Sequence, residues 1–110
     1  MYYLEKRLEV AGAHNLLLDY ESKCSTIHGH NWIITVYCKT DELNQNGMVT
    51  DFSEIKKIVM RLDHQNLNEL VQFNPTAENI AEYLTNTIPN AYKVSVQESE
   101  GNIATYDKGH

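Results

Sequence analysis

The sequence predicts an α+β domain in which two helices cover one face of an antiparallel sheet. Two strand patterns come first, two amphipathic helix patterns follow, and two further strand patterns complete a β-β-α-α-β-β order. The 110 residues suit one domain, so we expect residues 1–110 to fold together. With 42% hydrophobic residues, a chain of this length can bury a core without disulfide bonds.

The four strands are predicted from alternating side chains and from β-branched and aromatic content. In the first, Tyr2 to Val10, apolar and polar residues alternate, and Lys6 is an exception on the apolar face. The second, Gly29 to Lys39, is apolar on both faces, which indicates a subunit interface or a barrel interior. The remaining two are joined by a hairpin turn at 100–102 and are predicted at residues 92–98 and 103–106.

Both helices are predicted from a buried stripe and from signals at their ends. Asp51 has the features of an N-cap with Glu54 as its capping-box partner, and this helix is expected to end near Asp63. The second helix is capped by Asn74 or Thr76 and ends before residue 89. The buried stripes comprise Phe52, Ile55, Ile58, Val59 and Leu62 in the first helix and Ala77, Ile80, Ala81, Leu84 and Ile88 in the second.

Charge and composition narrow the classes of function. The formal net charge is −6 and no cluster of Lys and Arg stands out, which argues against nucleic acid as a partner. No segment has the length of a transmembrane helix and the first residues lack a signal-peptide pattern, so we expect a cytoplasmic protein without a membrane partner. Cys24 and Cys38 are expected to be reduced thiols.

A His-Gly-His motif at the start of the second strand is the strongest chemical feature. His28 and His30 are two residues apart on a strand, so their side chains share one face about 6–7 Å apart. His14, just after the preceding strand, is the natural third ligand of an open zinc site whose fourth position is free for water or substrate. The alternative is that two surface histidines lie beside a strand by coincidence.

Cys24, four residues before His28, is a candidate reactive thiol. Close to a zinc ion, its thiolate would be available as a base or a nucleophile. Two alternatives remain open. Cys24 can be a small buried side chain, or it can be a fourth zinc ligand that closes the site and makes it structural.

Asp63, His64 and Glu98 complete the candidate residues. Asp63 and His64 pair a carboxylate with a potential proton carrier; a direct bond between helix neighbours is not assured, and the alternative is a polar helix terminus. Glu98 shares strand parity with Tyr92, Val94 and Val96, and a carboxylate on an apolar face needs a partner, such as a ligand with two parallel N–H donors. The alternative is that the strand has already left the core at Glu98.

Six sequence features occur in order along the chain: His14, Lys23-Cys24-x-x-x-His28-Gly29-His30-Asn31, Gly47-Met48-Val49-x-Asp51-Phe52, Leu62-Asp63-His64-x-x-Leu67-Asn68, Asn74-Pro75-Thr76-x-Glu78-Asn79 and Glu98. Together they resemble the 6-pyruvoyltetrahydropterin synthase family over roughly residues 4–106. The spacing Cys-x-x-x-His-Gly-His is most similar to the queuosine branch, the 6-carboxy-5,6,7,8-tetrahydropterin synthases.

The resemblance implies the tunnelling fold (T-fold), in which subunits join their sheets into an oligomeric barrel, typically a homohexamer of two trimers. It implies a zinc cofactor and a pterin substrate. The implied roles are zinc ligation by His14, His28 and His30, a reactive thiol at Cys24, a proton relay by Asp63 and His64 of a neighbouring subunit, and pterin anchoring by Glu98.

The implied activity is that of a carbon–carbon lyase in queuosine biosynthesis. Its substrate is 7,8-dihydroneopterin triphosphate, and its products are 6-carboxy-5,6,7,8-tetrahydropterin, acetaldehyde and triphosphate. Two alternatives stay open. One is a 6-pyruvoyltetrahydropterin synthase that stops after triphosphate elimination, and the other is a zinc-containing oligomer that binds pterins without turnover.

Overall fold

The structure of the protein is a computed structural model that describes residues 1–109. Five strands and three helices follow one another in the order expected, with two short elements inserted between the main helices. The bounds are β1 Tyr2–His14, β2 His28–Thr40, α1 Phe52–Val59, β3 Gln65–Asn66, α2 Leu67–Leu70, α3 Ala77–Thr87, β4 Ala91–Ser99 and β5 Asn102–Asp107.

The strands form one sheet in the order β3-β1-β2-β4-β5. β1 pairs with β2 along its whole length, from Tyr2 opposite Thr40 to His14 opposite His28, and β2–β4 and β4–β5 are also antiparallel. The two-residue β3 lies parallel to β1, so the sheet is mixed at that one edge. The predicted α+β fold is confirmed. The strand β3 was not predicted, because the residues around it have a helical pattern.

The hydrophobic core lies between the sheet and the helices. The even-numbered residues of β1 and β2, and those of β4 from Val94 onward, face the helices, as their alternating burial shows. Before Val94 a bulge shifts the register, so Ala91 is buried and Tyr92, predicted on the face of Glu98, packs against Tyr3 and Tyr37 on the other face. Largest among the fully buried side chains are Trp32, Ile34, Ile55, Leu67, Ile80 and Leu84. Burial of side chains of this size contributes roughly 1.5–3 kcal/mol each, so the fold has a substantial core of its own.

The prediction that Phe52 belongs to the buried stripe of the first helix is wrong. Phe52 is 54% exposed, because it is the first residue of α1 and lies beyond the edge of the core. The Lys6 ammonium lies over its ring, 5.6 Å from the centroid. This cation–π contact also explains how a lysine is accommodated on the apolar face of β1, since the stem is half-buried while the charge remains at the surface.

Helix α3 is capped by Thr76, which decides between the two caps that the sequence allowed. The Thr76 side chain accepts a hydrogen bond from the Asn79 amide, 3.1 Å away. We expect Thr76→Ala to lower the free energy of unfolding by about 1 kcal/mol in urea denaturation. Glu82→Ala, at an exposed position of the same helix, is the control and should change stability by less than about 0.5 kcal/mol. Equal losses in both variants would contradict a capping role.

The opposite face of the sheet carries no helix among residues 1–109. Ile33 and Tyr37 on β2 lie on this face and are half-buried, alternating with the fully buried core positions. Apolar side chains on an uncovered face are what a subunit contact uses. Across the same residues, the helices are all too short or too polar to span a membrane.

Candidate metal centre and active site

Three histidines converge at the end of the β1–β2 hairpin. The strand register places His14 opposite His28 and Gly12 opposite His30, so the three imidazoles share the helix-facing side of the sheet. The Nε2 atoms of His14 and His28 are 3.1 Å apart, and the ring centroids of the three pairs are 4.6–5.1 Å apart. The proximity predicted from strand spacing and from the position of His14 is therefore present.

Backbone carbonyls orient two of these rings. The Nδ1 of His14 lies 2.7 Å from the carbonyl oxygen of Pro75, and the Nδ1 of His28 lies 2.7 Å from that of Thr26. Since a carbonyl oxygen only accepts, each Nδ1 carries the hydrogen and each Nε2 presents a lone pair. This arrangement is the usual support for histidines that bind a metal through Nε2.

Gly12 gives the site room on the neighbouring strand. A Cβ at this position would lie 3.3 Å from Nε1 of Trp32, whose N–H donates to the Gly12 carbonyl at 3.1 Å. The Trp32 ring packs edge-on against both His14 and His30, with centroids 4.8 and 5.3 Å away. Trp32 thus forms an apolar wall on the core side of the three histidines.

Glu98 joins the histidines as a fourth possible ligand. Its Oε1 lies 2.9 Å from Nε2 of His30 and 3.8 Å from Nε2 of His14, and the four ligand atoms lie within 4.8 Å of one another. A tetrahedral zinc site with bonds of roughly 2.0–2.1 Å has ligand atoms about 3.3 Å apart. Nε2 of His30 is buried and lacks a partner in hydrogen-bond geometry, in spite of the nearby carboxylate. The donor set therefore fits a zinc ion.

Burial keeps two of the candidate metal-binding imidazoles neutral. Desolvation is the main cause that lowers the pKa of His14 and of His30 below the usual histidine value, and the nearby Glu98 carboxylate partly opposes it. A neutral imidazole has the lone pair that metal binding requires. Both ligands are thus in the metal-binding form at neutral pH.

Cys24 lies outside this group of four ligand atoms in residues 1–109. It sits in a single 3-10 turn, Lys23–Ser25, and its thiol is half-buried and free of any disulfide. The carbonyl of Cys24 accepts from the amide of Leu16 at 2.6 Å, two residues after His14. In the described residues, Glu98 and not Cys24 is therefore the fourth potential ligand beside the three histidines.

Asp63 and His64 form a direct hydrogen bond, which the helical pattern had left unsettled. His64 Nδ1 lies 2.8 Å from Asp63 Oδ2, because α1 has already ended and His64 has a left-handed backbone with φ 56°. The Ala11 amide donates to the other carboxylate oxygen at 2.9 Å. This bond, together with the bond from His64, holds the pKa of Asp63 below its usual value.

His64 points away from the core of its own chain. Its side chain is 81% exposed, and it borders an open cleft of about 530 Å³. Ala11, Ala13 and Asn31 line this cleft and alternate along β1 and β2 with the histidine positions. His30 also lines this cleft, so His64 and one of the three histidines border the same opening.

The sequence assigned no role to Asn68 and Pro75 and gave Asn74 only that of a candidate helix cap, although all three fall in the quoted motifs. Asn68 and Asn74 hold the loop that carries Cys24 through side-chain bonds to its backbone. Pro75 acts through its carbonyl oxygen. Hydrogen bonds to backbone groups cannot be recognised in a sequence. A polar residue in a turn is ordinarily explained by the turn itself.

Comparisons with known proteins agree with this geometry. A family model described as 6-pyruvoyl tetrahydropterin synthase matches residues 3–109. A Synechocystis relative named 6-carboxy-5,6,7,8-tetrahydropterin synthase is 31% identical, over 96% of this chain and 93% of its own length. A Pyrococcus horikoshii relative, provisionally given the same name, is 43% identical over 70 residues, which span 59% of this chain and only 44% of that protein.

Among solved structures, 6-pyruvoyl tetrahydropterin synthase of Caenorhabditis elegans superimposes with a TM-score of 0.77. The two proteins are 28% identical, and the match covers 98% of this chain and 96% of the other. The shared fold is thus accompanied by a family match along nearly the entire described chain. The protein belongs to the 6-pyruvoyl tetrahydropterin synthase family.

Proposed function

We propose that this chain is a zinc-dependent 6-carboxy-5,6,7,8-tetrahydropterin synthase of queuosine biosynthesis. It converts 7,8-dihydroneopterin triphosphate to 6-carboxy-5,6,7,8-tetrahydropterin, acetaldehyde and triphosphate. The observation that supports this best is the group formed by His14, His28, His30 and Glu98, in which two rings are oriented by backbone carbonyls. Relatives named for this synthase add to that support.

The metal would be held by Nε2 of His14, His28 and His30. When bound, zinc supplies the Lewis acidity that polarises the oxygens of the substrate side chain and acidifies the adjacent C–H bonds. Trp32 packs edge-on against the rings of His14 and His30 and excludes water from that side of them. Three histidines would thus hold the ion, and the Glu98 carboxylate beside them would be left for the pterin.

Glu98 anchors the pterin in this proposal. It lines a cleft of about 390 Å³ between the start of α3 and the β4–β5 turn, together with Glu78 and Asn102. The amino-pyrimidinone edge of a pterin offers two parallel N–H donors, which suit the two oxygens of one carboxylate. The cleft thus gives the ring a route to Glu98 beside the three histidines.

Cys24 and the Asp63–His64 pair handle protons. The Cys24 thiolate removes a proton from the substrate side chain. Because the ionised Asp63 fixes the hydrogen of His64 on Nδ1, the exposed Nε2 of His64 is free to take up or deliver a proton. We propose that this relay serves the site of a neighbouring subunit in a homohexamer, and the mass of the protein in solution tests that assembly.

Glu98→Gln separates pterin anchoring from metal binding. Loss of the negative charge is expected to lower kcat/KM about 10- to 100-fold, because a hydrogen bond to a charged group contributes about 1.5–3 kcal/mol. Zinc content per subunit should remain that of the unaltered protein, since three histidines are intact. Glu78→Gln, which alters an exposed carboxylate in the same cleft, is the control. Loss of zinc with a normal KM would instead make Glu98 a metal ligand.

The activity itself is tested by product analysis. Zinc-loaded protein is incubated with 7,8-dihydroneopterin triphosphate, and acetaldehyde and the pterin product are measured together. We expect acetaldehyde in equal amount to a carboxylated pterin. Triphosphate release without acetaldehyde would identify a 6-pyruvoyltetrahydropterin synthase, the activity for which the structurally similar worm protein is named. Absence of turnover would leave a zinc-containing pterin-binding protein.

A further inference from the structure

The loop that carries Cys24 is fixed by asparagine side chains from elsewhere in the chain. This loop, residues 15–27, contains a single 3-10 turn and otherwise no regular structure. Asn68 accepts from the Asn15 amide at 2.8 Å and donates to the Asn15 carbonyl at 2.8 Å. Asn74 does the same to Leu17, at 2.8 and 3.1 Å. Each side-chain amide therefore pairs with both polar groups of one loop residue, as a neighbouring strand would.

The residue between these two contacts is tied directly to Cys24. The Leu16 amide donates to the Cys24 carbonyl. Three successive loop residues are thus held: Asn15 by Asn68, Leu16 by the Cys24 backbone, and Leu17 by Asn74. Any shift of Asn15 or Leu17 moves the peptide to which Cys24 is bonded.

The same segment also orients a metal ligand. Asn74 precedes Pro75, whose carbonyl accepts from Nδ1 of His14. The Asn74 carbonyl in turn accepts from the Asn79 side chain at 3.0 Å, and the Asn79 amide donates to the cap of α3. The loop and the His14 ring are therefore both held by residues at the beginning of helix α3.

We propose that Asn68 and Asn74 are positioning residues that set Cys24 relative to the three histidines. This inference rests on the proposed role of Cys24 as the base. Proton transfer depends on the reacting atoms being held at close range, and a displacement of about 1 Å can cost about a hundredfold in rate. Removing either asparagine is expected to lower kcat while leaving KM and zinc content near their original values.

The test compares Asn68→Ala and Asn74→Ala with Asn44→Ala. Asn44 is the matched control, since its side chain also makes two hydrogen bonds to the backbone, both as acceptor, but within the remote turn at residues 44–48. Hydrogen exchange of the Leu16 amide should accelerate about 10- to 100-fold in the first two variants, because the bonds that restrain the loop are lost. Alkylation of Cys24, followed by peptide mass, should accelerate about tenfold, and kcat should fall at least tenfold.

Asn74→Asp keeps the acceptor for the Leu17 amide and loses the donor to the Leu17 carbonyl. Its exchange rate, alkylation rate and kcat should therefore be intermediate, and it remains informative if Asn74→Ala does not fold. Folded variants whose Leu16 exchange, Cys24 alkylation and kcat equal those of Asn44→Ala would overturn the proposal. Exchange and alkylation do not require pterin turnover. If the unaltered protein proves inactive, the proposed function fails while these two measurements still decide whether the asparagines hold the loop.

Discussion

Replacing Cys24 by alanine is expected to reduce kcat by about 10²- to 10⁴-fold, the range over which a general base contributes to an enzymatic rate. The thiol lies outside the group of four atoms that could hold a metal, so its removal should leave zinc content unchanged. The measurement is steady-state turnover of the zinc-loaded variant together with its metal content.

Cys38→Ala is the matched control for this prediction. Cys38 is the other free cysteine, but it is buried on β2, where its Sγ contacts the Pro89 carbonyl at 3.6 Å. Burial raises the pKa of this thiol and keeps it protonated. We expect the control to lose stability through packing and to retain its kcat. Full turnover by zinc-loaded Cys24→Ala would refute the assignment of the base.

Removal of zinc is expected to abolish turnover without unfolding the chain. The core between sheet and helices is built from aliphatic side chains and Trp32, and it is complete without contributions from a metal. Chelation should therefore preserve the far-ultraviolet circular dichroism spectrum and lower Tm only by the contribution of ligand binding. Activity should return when zinc is restored.

His30→Ala extends this test to one ligand. Zinc affinity should fall by more than about a hundredfold, since even residues that merely support a ligand change affinity 10- to 100-fold. The variant should remain folded, because His30 is only partly buried and lies at the loop end of the β1–β2 hairpin. Cooperative unfolding on chelation, or on loss of His30, would favour a structural metal site instead.

Much of the fold was predictable because its signals are local. Alternation identified the strands, and a repeat of apolar residues identified α3, whose predicted stripe is buried throughout. Phe52 departed from this rule because a residue at a helix end has no neighbouring turn to bring it against the sheet. The short β3 was missed, since two residues are too few to show a period.

The sequence by itself determined which side chains can act together. Strand spacing places His28 and His30 on one face, and parity places Glu98 on the face of Val94 and Val96. Only the tertiary structure decided how they meet. The β1–β2 register brings His14 opposite His28, the turn after α1 bends Asp63 onto His64, and asparagines distant in sequence hold the Cys24 loop. These contacts join residues up to 57 positions apart, and their partners include backbone groups that every residue possesses, so no local pattern records them.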